Sequence, residues 1–193
     1  MIKIGNNISE FSIYSCQPKT KTKLKFIIVD RIYKDGPNCD LNDIDTRLIT
    51  DMSWLFYDME FNGDISKWNV SNVTNMEDMF SDSTFNGDIS NWDVSNVTDM
   101  SYMFDESKFN QDISKWDVSN VICMEGMFRK SKFNGDISKW NVSKAVNMYK
   151  MFYASKFNKD ISNWNIRKSC DTINMFADCF IKKEFKPKCF NHD

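Results

Sequence analysis

The sequence predicts an α/β repeat solenoid: a right-handed coil with short parallel strands on one face, short helical turns on the other, and a capping helix at its N-terminal end. Three observations carry this expectation. Phe61, Phe85, Phe109, Phe133 and Phe157 recur every 24 residues with no insertion or deletion. From Phe61 onward the first four copies repeat one order of residues, D-I-S-x-W-[DN]-V and then M-x-x-M-F. A 24-residue unit also cannot bury enough apolar surface to offset about 1.5 kcal/mol of ordering entropy per residue, so the copies must stack.

Residues 1–36 read as an N-terminal extension and capping helix. Thr20 suits an N-cap, Leu24, Ile27, Ile28 and Ile32 form an apolar stripe, and Gly36 with Pro37 ends the run. Residues 37–180 form the array of about six coils. In its first half, apolar Phe61, Ile65 and Trp68 between polar Asp64, Ser66 and Lys67 suggest a short strand near residues 63–67. In its second half, Val73, Met76, Met79 and Phe80 fall on one face of a helical turn, with Ser71 or Asn72 as N-cap. A weaker copy precedes Phe61, with Leu41, Ile44, Ile49, Met52, Leu55 and Phe56 in matching places. The last copy fades, Val73 and Met76 becoming Ser169 and Thr172. Residues 181–193, rich in lysine, read as an irregular C-terminal cap and tail.

Composition narrows the function. A formal net charge of -2 removes the basic excess that nucleic-acid binding uses. No apolar run is long enough for a membrane span, and the N-terminal residues do not read as a signal peptide. The cysteines at 16, 39, 123, 170, 179 and 189 show neither CxxC pairs nor repeat-matched spacing. They read as free thiols, which favours a cytoplasmic or virion setting over classical secretion.

The unit FNGDISKWNVSNVTNMEDMFSDST resembles the Met/Phe/Trp-rich repeats of the BspA-like leucine-rich repeat surface proteins, over residues 37 to about 180. The resemblance implies a leucine-rich-repeat-like coil used for attachment to proteins or host surfaces, usually without enzymatic activity.

No catalytic, cofactor or metal site emerges from the residues. His192 is the only histidine and lies in the tail, so no Ser-His or Cys-His pair can form inside the repeats. Walker, dinucleotide and zinc spacings are missing. The column Asp64, Asp88, Asp112, Asp136 and Asp160 could be a cation ladder, but Asx turns account for it with less. The Asn62 column reads as a buried amide ladder, and the Trp68 column as core rather than a platform for sugars. Sequons at Asn7, Asn69, Asn72, Asn96 and Asn141 follow from the repeat's own N-V-S and N-V-T wording.

Binding specificity belongs where copies differ. One such column is Lys67, Asn91, Lys115, Lys139 and Asn163, a mildly basic strip suited to an acidic protein or glycan; another is Asp78, Tyr102, Gly126 and Lys150. The expected function is a non-enzymatic protein-interaction or adhesion module. Carbohydrate binding through exposed tryptophans and a structural part of a larger assembly, viral or otherwise, are the alternatives.

Overall fold

The computed structural model describes residues 16–190. Helix α1 spans Lys21–Asp35. The Thr20 hydroxyl accepts the Lys23 N–H at 3.2 Å, and Gly36, at φ 88°, closes the other end by donating to the Ile32 carbonyl. Leu24 and Ile28 are fully buried and Ile27 and Ile32 pack against the same core, so the apolar stripe turns inward.

From residue 37 the chain winds through coils 37–60, 61–84, 85–108, 109–132, 133–156 and 157–180, each hydrogen-bonded to the next. Inward side chains stand at the ends of tight turns. The Ile65 carbonyl accepts from Trp68 at 3.1 Å, that of Val70 from Val73 at 2.8 Å, and that of Met76 from Met79 at 3.2 Å. These turns produce the three-residue spacing that imitates a helix.

A helix would return each N–H to the carbonyl four residues back. Here alternate N–H groups leave the coil instead. Those of Met76, Asp78, Phe80 and Asp82 donate to the carbonyls of Asp99, Ser101, Met103 and Asp105 in the next coil, at 2.8 to 3.0 Å. Asp78 and Asp82 also sit at φ 51° and 54°, which stops any right-handed helix. The expected α/β solenoid of parallel strands and helical turns is therefore overturned. Among the described residues the repeats hold no helix and no extended strand, only isolated parallel bridges such as Asn75 with Asp99 and Asp99 with Cys123. Beyond α1, the regular elements are two 3₁₀ turns, Lys183–Phe185 and Lys188–Phe190.

The distance between coils explains the missing strand at 63–67. Equivalent rings lie nearly parallel, so their centroid separation measures the local translation from coil to coil. It is 5.7 Å for Phe80 to Phe104, 6.2 Å for Phe85 to Phe109 and 6.5 Å for Trp68 to Trp92. Strands pair at about 4.8 Å. Between the first two coils the backbone still pairs here, Leu41 donating to the Asp64 carbonyl at 2.9 Å and Asp64 to that of Cys39 at 3.3 Å; in the coils beyond, the Phe61 and Trp68 columns are splayed too far for a backbone ladder, and side chains bridge the gap. Asn62 Oδ1 accepts the Asn86 N–H at 2.8 Å, and the bond repeats through Asn110, Asn134 and Asn158. The indole N–H groups of Trp92, Trp116 and Trp140 donate to the carbonyls of Ile65, Ile89 and Ile113. The asparagine ladder exists, but at the surface rather than buried as expected.

Both ends of the core are covered. In the repeats the Met79 carbonyl accepts from Phe56 of the preceding coil; at its first-coil counterpart, Leu55, Lys25 Nζ of α1 donates instead, at 2.6 Å. Arg31 holds Asp43 and the Asp40 carbonyl, and Lys21 holds Asp51. At the C-terminal end Phe190 meets Phe176 edge-on at 5.0 Å, Ile181 is buried, and the Phe185 carbonyl accepts from Ile161.

Candidate functional site

Every coil carries two backbone positions in the left-handed region. One series is Trp54, Asp78, Tyr102, Gly126, Lys150 and Asn174; the other is Asp58, Asp82, Glu106, Lys130, Ala154 and Asp178. Their φ values lie between 51° and 63°, and in all but the last coil their N–H groups donate to carbonyls of the next coil. Only one of the twelve is glycine, so φ alone does not select the residue. The backbone is thus constant while the side chains on it change at almost every step.

Gly126 shows what does select a residue here. A Cβ at this position would stand 2.4 Å from two ring carbons of Tyr102, so the tyrosine lies flat over the glycine. Its hydroxyl donates to Glu125 Oε1, and Asn147 donates to the other oxygen of that carboxylate at 2.8 Å. Burial and the Glu125 carboxylate push the Tyr102 hydroxyl far above its ordinary range.

Beside it lies a chain of charges. Arg129 pairs with Asp105 and approaches Glu106 at 3.5 Å, and Lys130 closes on Glu106 at 2.6 Å. Asp105 is buried, its Oδ1 has no hydrogen-bond partner, and burial raises its pKa against the pull of Arg129. Asp78 is buried in the neighbouring coil and pushed up to about 6, by burial first and by Glu77 and Asp105 in addition. Lys130 in turn holds Glu106 below its usual value. Further along, Lys150 Nζ lies 4.9 Å from the Tyr149 ring centroid and 5.4 Å from that of Tyr153. All three are half-exposed.

The opposite side of the coils carries the strip read from the sequence. Lys67, Asn91, Lys115, Lys139 and Asn163 are all exposed at equivalent places. They run beside the Asp64 column, whose carboxylates accept the N–H two residues on, as Asp112 does from Ser114 at 2.8 Å. These backbone bonds hold Asp64, Asp88, Asp112, Asp136 and Asp160 below the usual carboxylate range. The lysine positive charge is therefore met by a parallel row of negative charge. Asn163 is not free for a ligand either, since its amide donates to the Ser138 carbonyl at 2.9 Å.

Trp68, Trp92, Trp116, Trp140 and Trp164 are at most 5% exposed, so these rings form no surface platform. Among the described residues no group of three or more His, Cys, Asp or Glu side chains is placed to hold a metal ion. His192 and the Asn7 sequon lie outside the described residues. The Asn72 and Asn96 amides clamp the Arg47 and Ser71 carbonyls of the preceding coil.

Sequence reasoning found the Asp78 column but not its left-handed backbone, and missed the Asp105 and Arg129 pair. A signal was present. Asp, Asn and Gly, the residues that best tolerate positive φ, recur at 58, 78, 82, 126, 174 and 178.

A family model described as "Mycoplasma protein of unknown function, DUF285" matches residues 29–129 and again 85–188. The overlap of the two matches is that of a repeat-containing family. No curated protein and no solved structure matches the chain.

Proposed function

We propose, from the premise that the chain belongs to the DUF285 family, that it is a non-enzymatic protein-interaction module whose binding face is the left-handed turn face of coils 85–156. The observation that carries this reading is a fixed backbone bearing changing side chains, with Tyr102 on a left-handed position and Arg129, Tyr149 and Tyr153 each next to one. Such residues dominate protein interfaces, because they offer large contact area at low entropic cost together with a polar handle. Neighbours already hold several of them in place, so little ordering remains for a partner to induce. The resemblance to BspA-like surface proteins fits the same reading and points to attachment at a host or assembly surface.

The test is affinity capture from the native source with the intact chain, followed by binding measurements on the captured protein. Tyr149→Ala with Tyr153→Ala should weaken binding by about tenfold or more, and Lys67, Lys115 and Lys139 changed together to Ser should leave it unaltered. Loss of binding in the lysine variant alone would move the face to the opposite side of the coils. A glycan-array signal without any captured protein would favour carbohydrate.

A further inference from the structure

Ten large apolar side chains are exposed among the described residues, and half of them gather at the α1 end: Phe26, Val29, Tyr33, Trp54 and Tyr57. The inner stripe of α1 is accounted for by the core. Its outer stripe is not. Thr22, Phe26, Val29 and Tyr33 are spaced four, three and four residues apart, the spacing of a two-helix seam. Phe26 is 64% and Tyr33 88% exposed, unusual for rings on a folded helix. Trp54 and Tyr57, in contact at 4.9 Å, extend the patch onto the first coil.

The charges beside the seam choose the occupant. At 100° per residue, Lys23 and Asp30 flank it on the side away from the first coil, where Asp30 Oδ2 already holds Lys34 of the same helix at 2.8 Å. Lys25 flanks the other side, where the Trp54 and Leu55 carbonyls hold it. A second α1 laid antiparallel, with the two-fold axis between Phe26 and Val29, brings each Lys23 near the other copy's Asp30. A parallel pair would instead bring Lys23 near the other copy's Lys25, like charge against like.

We propose that α1 docks antiparallel on α1 of a second copy of this chain, with Phe26, Val29 and Tyr33 at the seam and reciprocal Lys23 and Asp30 pairs at its edge. The five apolar side chains of each copy would bury roughly 1,000 Å² in total, the lower limit for a specific interface, so the dimer should dissociate in the micromolar range. The inference is independent of the turn-face reading, since the two surfaces share no residue.

Sedimentation velocity of the full chain across a wide micromolar range tests it. A concentration-dependent dimer is expected. Phe26→Glu should raise the dissociation constant by about tenfold or more with the thermal midpoint unchanged. Lys23→Glu and Asp30→Lys should each weaken the dimer, more so at low salt, and the two together should restore it. Three results would overturn the proposal: a monomer at every concentration, a dimer indifferent to Phe26→Glu, or dissociation caused instead by Phe180→Ser at the other end. A full chain that dimerises only after residues 1–15 are removed would also overturn it, by showing that the chain covers the patch itself.

Discussion

At the residue scale, one side-chain type performs different work according to where the coil places it. Trp116 is 3% exposed, fills the space between coils and donates its indole N–H to Ile89, whereas Trp54 is 44% exposed on a left-handed turn. Trp116→Ala should cost about 3 to 5 kcal/mol in chemical denaturation. Iodide should quench one minor, red-shifted component of the native emission, and Trp54→Phe should remove that component. Carboxylates divide in the same way. The Asp64 column is held low by backbone N–H bonds, while burial pushes Asp78 up to about 6. Folded protein therefore keeps a proton on Asp78 between about pH 4 and 6 that the unfolded chain gives up, so this group's penalty is absent below that window and complete above it. Asp78→Asn preserves the left-handed turn and removes the charge. It should raise stability by on the order of 1 to 2 kcal/mol near pH 7 and by little near pH 4. Destabilisation near pH 7 would show that the ionised carboxylate has a partner the raised pKa does not reflect.

At the element scale the unit is the coil, because its hydrogen bonds run to the coils on either side. Deleting residues 85–108 brings Met76 against Cys123, which occupies the same column as Asp99, and restores each bond in register. The shortened chain should fold, with Ser81 in the place of Asp105 and Asp82 in the place of Glu106 beside Arg129 and Lys130. Deleting 85–96 sets apolar columns against polar ones and should yield an insoluble or unfolded product; equal thermal unfolding of the two deletions would contradict the stacked arrangement. Helix α1 is the other element with a distinct task. Removing residues 1–36 uncovers Leu41, Leu55 and Phe56, all fully buried, and strips the Leu55 carbonyl of Lys25. Aggregation on size-exclusion chromatography is the expected result.

At the scale of the whole molecule, the two carboxylate sets oppose one another in pH. The Asp64 column stabilises when ionised, an effect present above about pH 4 and lost as pH falls through the lowered values. Asp78, Asp82 and Asp105, all raised, stabilise when protonated, an effect lost as pH rises. Denaturant midpoints should therefore peak near pH 5 rather than on a neutral plateau, and Asp78→Asn should flatten the alkaline side of the peak. The sequence by itself determined the period of 24, the number of coils, the phenylalanine and tryptophan columns of the core, the Asx role of the Asp64 column and the span of α1. Each of these rests on side-chain chemistry that recurs in place, and a recurring column can be read without knowing the backbone. The path of the chain between columns was decided only in three dimensions. An apolar residue every third position suits a helical turn and a run of tight turns equally, and the choice fell to where the N–H groups of Met76, Asp78, Phe80 and Asp82 find acceptors. Those acceptors lie 23 residues further along, in a coil that exists only once the stack has formed. Tertiary contact likewise decided that the coils splay at the Trp68 column and leave no ladder there, that Asp78 and Asp105 are buried while Asp64 is not, and that Tyr102 lies over Gly126. Burial depends on what the neighbouring coil brings to the same height, and no single repeat records it.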